Sequence, residues 1–294
     1  MTTLTAPSSP INSIRYVDKS QRVCIDDLQV AGGSWLGRHH RRNGGSNQDA
    51  FHYQRGCESL VGLIADGCGS GRFSEVGARL GARMFAAALT RRLDAGADVE
   101  DPNLWRRVSA DVVANLRMVA NSMGGSLHRV VSNYFLFTIV GFAITPEKTA
   151  VFALGDGLVA INGDVMLLGP FPNDQPPYLG YALVNGDADA DIELVAVRST
   201  CEIESLLIGT DGALDLAATA LESLPGREDE VVGPLSQFWT DDRFFENRDA
   251  LRRRLSLIGR ETTQPDWELS RLDRHPGHLP DDTTLLVVRR GAAR

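Results

Sequence analysis

Aspartates stand where apolar runs meet a glycine or a short polar turn, and their placement is the chemically informative feature of this chain. Asp66-Gly67 follows Leu63-Ile64-Ala65, Gly155-Asp156-Gly157 follows Phe152-Ala153-Leu154, and Thr210-Asp211-Gly212 follows Leu206-Leu207-Ile208. Asp281-Asp282 precedes the apolar run 283–288, and Asp49, in Asn47-Gln48-Asp49-Ala50, precedes Phe51-His52-Tyr53. Taken singly, each is an ordinary turn residue, because Asp bonds its own backbone and Gly accepts positive φ. Together they say more, since antiparallel neighbouring strands bring their ends to one edge of a sheet. Two carboxylates about 5 Å apart repel by roughly 3 kcal/mol at an effective dielectric of 20. Several converging carboxylates therefore need a cation or must hold protons. The donors are all oxygens, with no zinc-like spacing of His or Cys, and that chemistry favours a hard ion, Mg²⁺ or Mn²⁺.

The elements that must carry these residues are short. Nearly continuous apolar runs of strand length recur at 59–65, Tyr134–Ile144, 150–154, 192–197, 205–208 and 283–288, and strands of that kind are covered on both faces. The segment Phe73 to Leu93 carries Val76, Leu80 and Met84 at i+4 steps, with Phe85 and Leu89 alongside, which predicts a helix. A second is expected from Asp101-Pro102, a cap followed by the residue suited to the first helical position, with the stripe Trp105, Val108, Val112, Leu116 and Val119. Both helices follow one strand, and a block of strands comes after, the segregation of an α+β layered domain. From Leu221 to His278 the pattern reads helical and charged, and Arg252-Arg253-Arg254 reads as a solvated helix face. Residues 1–27 read as an N-terminal tail or edge segment and 28–294 as one domain.

With 294 residues, 43% hydrophobic and 23% charged, the chain has the balance of a soluble protein with a sizeable core. Thirty Lys and Arg against thirty-eight Asp and Glu leave a net charge of −8, which disfavours a nucleic-acid partner, since such binding runs on phosphate neutralisation. The longest apolar stretch, Tyr134–Ile144, is too short to span a bilayer, and residues 1–16 lack the apolar core of a secretion signal. Cys24, Cys57, Cys68 and Cys201 form no CxxC pair, so a reducing cytoplasm is expected and no membrane association.

In this order and spacing, the motifs Gln48-Asp49-Ala50, Asp66-Gly67-Cys68-Gly69-Ser70, Gly155-Asp156-Gly157, Thr210-Asp211-Gly212 and Asp281-Asp282-Thr283 resemble those of the metal-dependent protein phosphatases of the 2C type, over about residues 30–290. Gly37-x-x-His40, Gln48-Asp49-Ala50 and Ser74-Glu75-x-Gly77-Ala78 resemble a bacterial subgroup of that family. The resemblance implies a four-layer α-β-β-α sandwich of two antiparallel sheets flanked by helices. It implies two Mn²⁺ or Mg²⁺ ions at one edge, bridged by Asp66 and a hydroxide that attacks phosphorus. Asp66 and the Gly67 carbonyl match ligands of the core pair, Asp211 and Asp281 match carboxylates on one ion, and Asp49 lies near the other, acting through water. Asp156, Asp211 and Asp215 match the ligands of a third, more loosely held ion. Asp66 and Asp49 are thus the expected catalytic carboxylates, acting on phosphoserine or phosphothreonine of a phosphorylated protein and opposing a serine/threonine kinase.

This sequence departs from the family pattern at three places. Gln48 stands where better-known members have an acidic residue, and Gly44 stands where they have a phosphate-gripping arginine. Arg38, His40, Arg41 or Arg42 is expected to reach the phosphate instead, against the plainer reading of a solvated turn. Cys68 occupies the position of a proton-donating histidine and reads as a packing residue rather than a nucleophile. His39, His52, His128, His275 and His278 read as structural. The segment Gly163 to Asp191, with Pro170, Pro172, Pro176, Pro177 and Tyr178, reads as a specificity flap. Two competing readings are a catalytically silent, phosphatase-like regulatory module, suggested by Gln48 and Gly44, and an S-adenosylmethionine-dependent methyltransferase, suggested by the glycine-rich turn 66–74. The latter requires a second strand after Leu93, where the sequence instead opens a helix at Asp101.

Overall fold

Apolar side chains fill the strands of this protein because most strands have core on both sides. The computed structural model describes residues 22–172, 175–185 and 191–291. Its strands are β1 (Leu28–Trp35), β2 (Ala50–Arg55), β3 (Leu60–Ala65), β4 (Ile139–Ile144), β5 (Lys148–Leu154), β6 (Gly157–Ile161), β7 (Asp164–Leu168), β8 (Glu193–Ser199) and β9 (Ser205–Gly209). Two hairpins follow, β10 (Ser223–Leu224) with β11 (Arg227–Val231) and β12 (Thr262–Asp266) with β13 (Arg271–His275), before β14 (Thr283–Arg290). One five-stranded sheet runs β1-β14-β9-β6-β7 and the other β2-β3-β4-β5-β8, every pairing in both being antiparallel. The parallel, doubly wound sheet that a methyltransferase reading requires is not what these strands build.

The helices are α1 (Arg38–Arg42), α2 (Ser74–Asp94), α3 (Pro102–Met123), α4 (Leu127–Val130), α5 (Ala182–Asn185), α6 (Gly212–Ala218), α7 (Gln237–Thr240), α8 (Arg243–Glu246) and α9 (Ala250–Gly259). Alternate residues of each strand serve different layers. Leu60 and Ile64 of β3, with Val140 and Phe142, meet Ile208, Leu286 and Val288 between the sheets. Val61 and Leu63 of the same strand face outward, to Phe85 and Leu89 of α2 and Val112 and Leu116 of α3. On the far side Leu207, Leu285 and Val287 pack under Leu216, Phe238, Leu251 and Leu255. The result is the expected α-β-β-α sandwich. Gly62 lies in its middle layer, where a Cβ would stand 2.2 Å from the Phe142 ring and 2.7 Å from Leu286.

Local signals account for much of this. Asp101 caps α3 through its carboxylate, which accepts from the Asn103 N–H at 2.9 Å, and Gly124 ends that helix at φ +73°. Two stretches differ from expectation. The run Tyr134–Ile144 is strand only from Ile139; residues 131–135 form a π-helical turn. Helix α2 presses on that turn so closely that a Cβ on Gly77 would stand 2.0 Å from the Tyr134 carbonyl. The stretch 221–278 begins and ends in hairpins, with short helices between. Its charged residues coat exposed strand as readily as exposed helix, so polarity alone could not separate the two. Arg254 is also not solvated: it is 8% exposed, and its guanidinium bonds Gln237, Glu230 and the Val231 and Val232 carbonyls.

Residues 1–21 lie outside the described residues. The remainder of the expected tail lies against the sandwich, with Ile25 buried between the sheets and the Val23 N–H bonded to the Pro146 carbonyl at 3.0 Å. Among the described residues no helix is long and apolar enough to cross a membrane.

Candidate active site

Strand register brings the aspartates to one edge. Ala50 of β2 pairs with Ala65 of β3, so Asp49 and Asp66, one residue beyond each, emerge side by side from one sheet. In the other sheet Gly209 of β9 pairs with Leu285 of β14, which places Asp211 and Asp281 at the same end. Asp156 sits in the turn where the chain crosses from β5 in one sheet to β6 in the other, between Gly155 at φ +112° and Gly157 at φ +147°. These left-handed conformations favour glycine on both sides of the carboxylate.

The loop that follows Asp66 is pinned by backbone. Thr138 N–H donates to the Asp66 carbonyl at 2.8 Å and Cys68 N–H to the Leu136 carbonyl at 2.9 Å. Gly67 lies so close to its neighbours that a Cβ would stand 2.8 Å from both the Gln48 carbonyl and the Ser74 hydroxyl. Gln48 donates its side-chain amide to the Gly71 carbonyl at 2.9 Å, while its own Oε1 is buried without a partner.

Electrostatics show how closely the acids meet. Burial lifts Asp49, further raised by Asp282 and Asp211, to about 8, although Thr210 donates a hydrogen bond to its Oδ2 at 2.8 Å. Burial, then the charges of Asp49, Asp211, Asp281 and Asp156, hold Asp66 well above the usual carboxylate range. Burial with Asp281 and Asp156 pushes Asp211 up to about 6, against the Gly212 N–H that bonds it at 2.7 Å. Asp215 is raised by burial and Asp281, with His39 and Arg38 acting the other way. The protein alone favours the protonated form of Asp49 at neutral pH, and its Oδ1 is buried with no hydrogen-bond partner. An all-oxygen donor set with an orphaned carboxylate oxygen fits a hard divalent ion.

Asp282 does something different. It is 3% exposed, its Oδ1 accepts from the Gly37 N–H at 2.7 Å, and its Oδ2 accepts from the Gln48 N–H at 2.6 Å. It ties α1 and the start of β2 to the start of β14. The fit is tight: a Cβ on Gly37 would stand 2.2 Å from the Asp281 carbonyl carbon. The Arg38 and His39 N–H groups continue the seam, donating to the Leu279 and Pro280 carbonyls.

The cationic candidates separate. Arg38 feels Asp215 and donates to the Gly277 carbonyl at 3.1 Å. With Asp215, His278 and Pro280 it lines a cleft of about 510 Å³ walled by the two hairpins. His40 turns to Asp282, its Nδ1 3.0 Å from Oδ2. Arg41 stacks on Trp35 at 4.6 Å and Arg42 pairs with Glu261 at 3.2 Å, so neither is turned to the acidic edge.

Sequence reasoning quoted Asp282 and Thr210 within motifs but gave them no role, and did not name Thr284, whose N–H holds the Thr210 hydroxyl at 3.0 Å. The available signal was local: polar residues interrupting apolar runs at the strand ends that carry the acids. Tyr178 entered only as part of the flap, yet it is a buried residue whose hydroxyl bonds the Cys68 thiol and feels Asp66 and Asp156. Cys68 is half-buried, which alone would raise its pKa; hydrogen bonds from Ser70 and Tyr178 and from the Ser70 and Gly71 backbone outweigh that and lower it. Residues 173–174 and 186–190 of the flap lie outside the described residues.

The family model of protein phosphatase 2C matches residues 36–255. Among solved structures, a bacterial serine phosphatase carrying a single arginine substitution is similar, with 14% identity and a TM-score of 0.54 over 89% of this chain and 98% of that one. A second such variant shares 12% identity with a TM-score of 0.53 over 91% of this chain and 99% of the other. No curated protein sequence matches this chain. The chain belongs to the protein phosphatase 2C family, a family of metal-dependent protein phosphatases.

Proposed function

We propose that this chain hydrolyses phosphoserine and phosphothreonine of phosphoproteins with two divalent ions, Mn²⁺ or Mg²⁺, held at the acidic edge. One observation carries this reading: strand register delivers Asp66 from one sheet and Asp211 and Asp281 from the other to one edge, close enough that the charges of Asp211 and Asp281 raise Asp66 and that of Asp281 raises Asp211. Asp66 with the Gly67 carbonyl, Asp211 and Asp281 would hold the ions. Asp49 would act from beside them, and Asp156, Asp211 and Asp215 would hold a third, looser one. Bound in pairs, such ions lower the pKa of water towards neutrality and offset charge on the phosphoryl oxygens. The protein's own groups do the rest. Thr210 fixes Asp49 by holding one carboxylate oxygen and leaving the other turned inward without a partner. Arg38 grips the phosphate, and the cleft beside it takes the chain flanking the phosphorylated residue.

The partner is a phosphorylated protein, with a serine/threonine kinase as the opposing activity and the cytoplasm as the setting, and the resemblance of Gln48-Asp49-Ala50 to a bacterial subgroup supports a bacterial phosphatase. The test is hydrolysis of an aryl phosphate with added Mn²⁺, with and without chelator, on wild type and Asp211→Asn. Turnover that chelator and the substitution both abolish supports the enzyme. Metal binding without turnover would instead make this fold a silent regulatory module.

A further inference from the structure

Among the described residues, one group places three possible ligand atoms within 4.8 Å of one another, and it contains a histidine: His40, Asp281 and Asp282. The two acids there have unequal freedom. Both oxygens of Asp282 already accept backbone N–H groups, from Gly37 and from Gln48. Asp281 spends one oxygen on the Asp282 N–H at 2.7 Å. His40 is held in place by its backbone, since its carbonyl accepts the Gly45 N–H at 2.8 Å. Its Nδ1 is buried and makes no hydrogen bond, although it lies 3.0 Å from the Asp282 carboxylate. A nitrogen so close to a carboxylate without hydrogen-bond geometry is placed as two donors to one cation are placed, and the ion proposed for Asp281 would be that cation.

We propose that His40 Nδ1 is a ligand of the divalent ion on the Asp281 side, with Asp282 Oδ2 as the donor beside it, so that this position selects a transition ion such as Mn²⁺ over Mg²⁺. The inference rests on the proposed metal-dependent reading and adds a nitrogen to a donor set otherwise made of oxygen. Imidazole suits first-row transition ions, whereas Mg²⁺ keeps oxygen ligands and sheds water reluctantly. It also moves His40 from the phosphate to the metal and leaves Arg38 as the phosphate-gripping side chain of α1.

The test reads the ion directly. Purified full-length protein is loaded with Mn²⁺ and its electron spin echo modulation is recorded. Titration calorimetry with Mn²⁺ alone and Mg²⁺ alone is run on wild type, His40→Ala, the longer His40→Gln and Asp211→Asn. The expected results are a directly bound ¹⁴N signal in wild type that both His40 variants lose, and an Mn²⁺ affinity lower by about tenfold or more in those variants with Mg²⁺ affinity little changed. A wild-type spectrum without bound nitrogen overturns the proposal, as does a signal retained in both variants or an equal loss for both ions. In those cases Mn²⁺ binding sensitive to Asp211→Asn leaves the metal-dependent reading standing. Absence of any ion binding in wild type overturns both.

Discussion

Asp49 gains from a cation, because one of its oxygens is held by Thr210 and the other is buried without a partner. Arg38 is the arginine of α1 that faces Asp215 and the cleft, while Arg41 and Arg42 are engaged by Trp35 and Glu261. Arg38→Ala should raise KM for a phosphothreonine peptide by about tenfold, the weight of one charge-assisted hydrogen bond, while Arg41→Ala and Arg42→Ala leave it unchanged. Steady-state kinetics on the three variants checks this; a rise with Arg41→Ala or Arg42→Ala and none with Arg38→Ala would refute the assignment. The acids of the site were legible because turn chemistry at strand ends is local and visible in the chain. The Asp282 clamp was not, since its bonds reach Gly37 and Gln48 across 245 and 234 residues and leave no spacing to read.

The elements repeat that division. Helix α3 announced itself by its cap and stripe, and the near-continuous apolar strands announced two covered faces. The hairpins and the buried Arg254 did not, because a charge run says that something polar is present without saying which member turns inward. Arg254 now stands apart from its neighbours. Arg254→Ala removes the guanidinium donor from the Val231 carbonyl, while Val232 keeps the Gln237 amide, and should cost about 1–3 kcal/mol. Arg252→Ala and Arg253→Ala, both on exposed ion pairs with Asp249, should stay within about 0.5 kcal/mol. Urea unfolding of the three variants separates these outcomes. At the seam between α1 and β14, Gly37→Ala should weaken both folding and ion binding, since its methyl would meet the Asp281–Asp282 backbone. A calorimetric titration that matches wild type would show that the seam yields.

For the whole molecule the acidic edge sets the dependence of stability on pH. Asp49 and Asp211 are raised to about 8 and about 6 from the ordinary carboxylate value of 3.8, so the folded, ion-free protein holds protons that the unfolded chain gives up near 4. The unfolded state therefore binds fewer protons between those values, and stability falls as pH rises through that window. In chelator, the melting temperature should drop from pH 5 to pH 8.5, and saturating Mn²⁺ should remove most of the drop by replacing the protons. A flat profile in chelator would mean that the carboxylates are relieved by other means.

One consequence comes from the middle layer, where Phe142 and Leu286 meet over Gly62. Asp49 and Asp66 belong to one sheet, Asp211 and Asp281 to the other. The spacing of any ions between them is thus gauged by a greasy spacer well away from the chemistry. Trimming it, as in Leu286→Ala, would let the two jaws drift, and ion affinity would fall with no ligand touched.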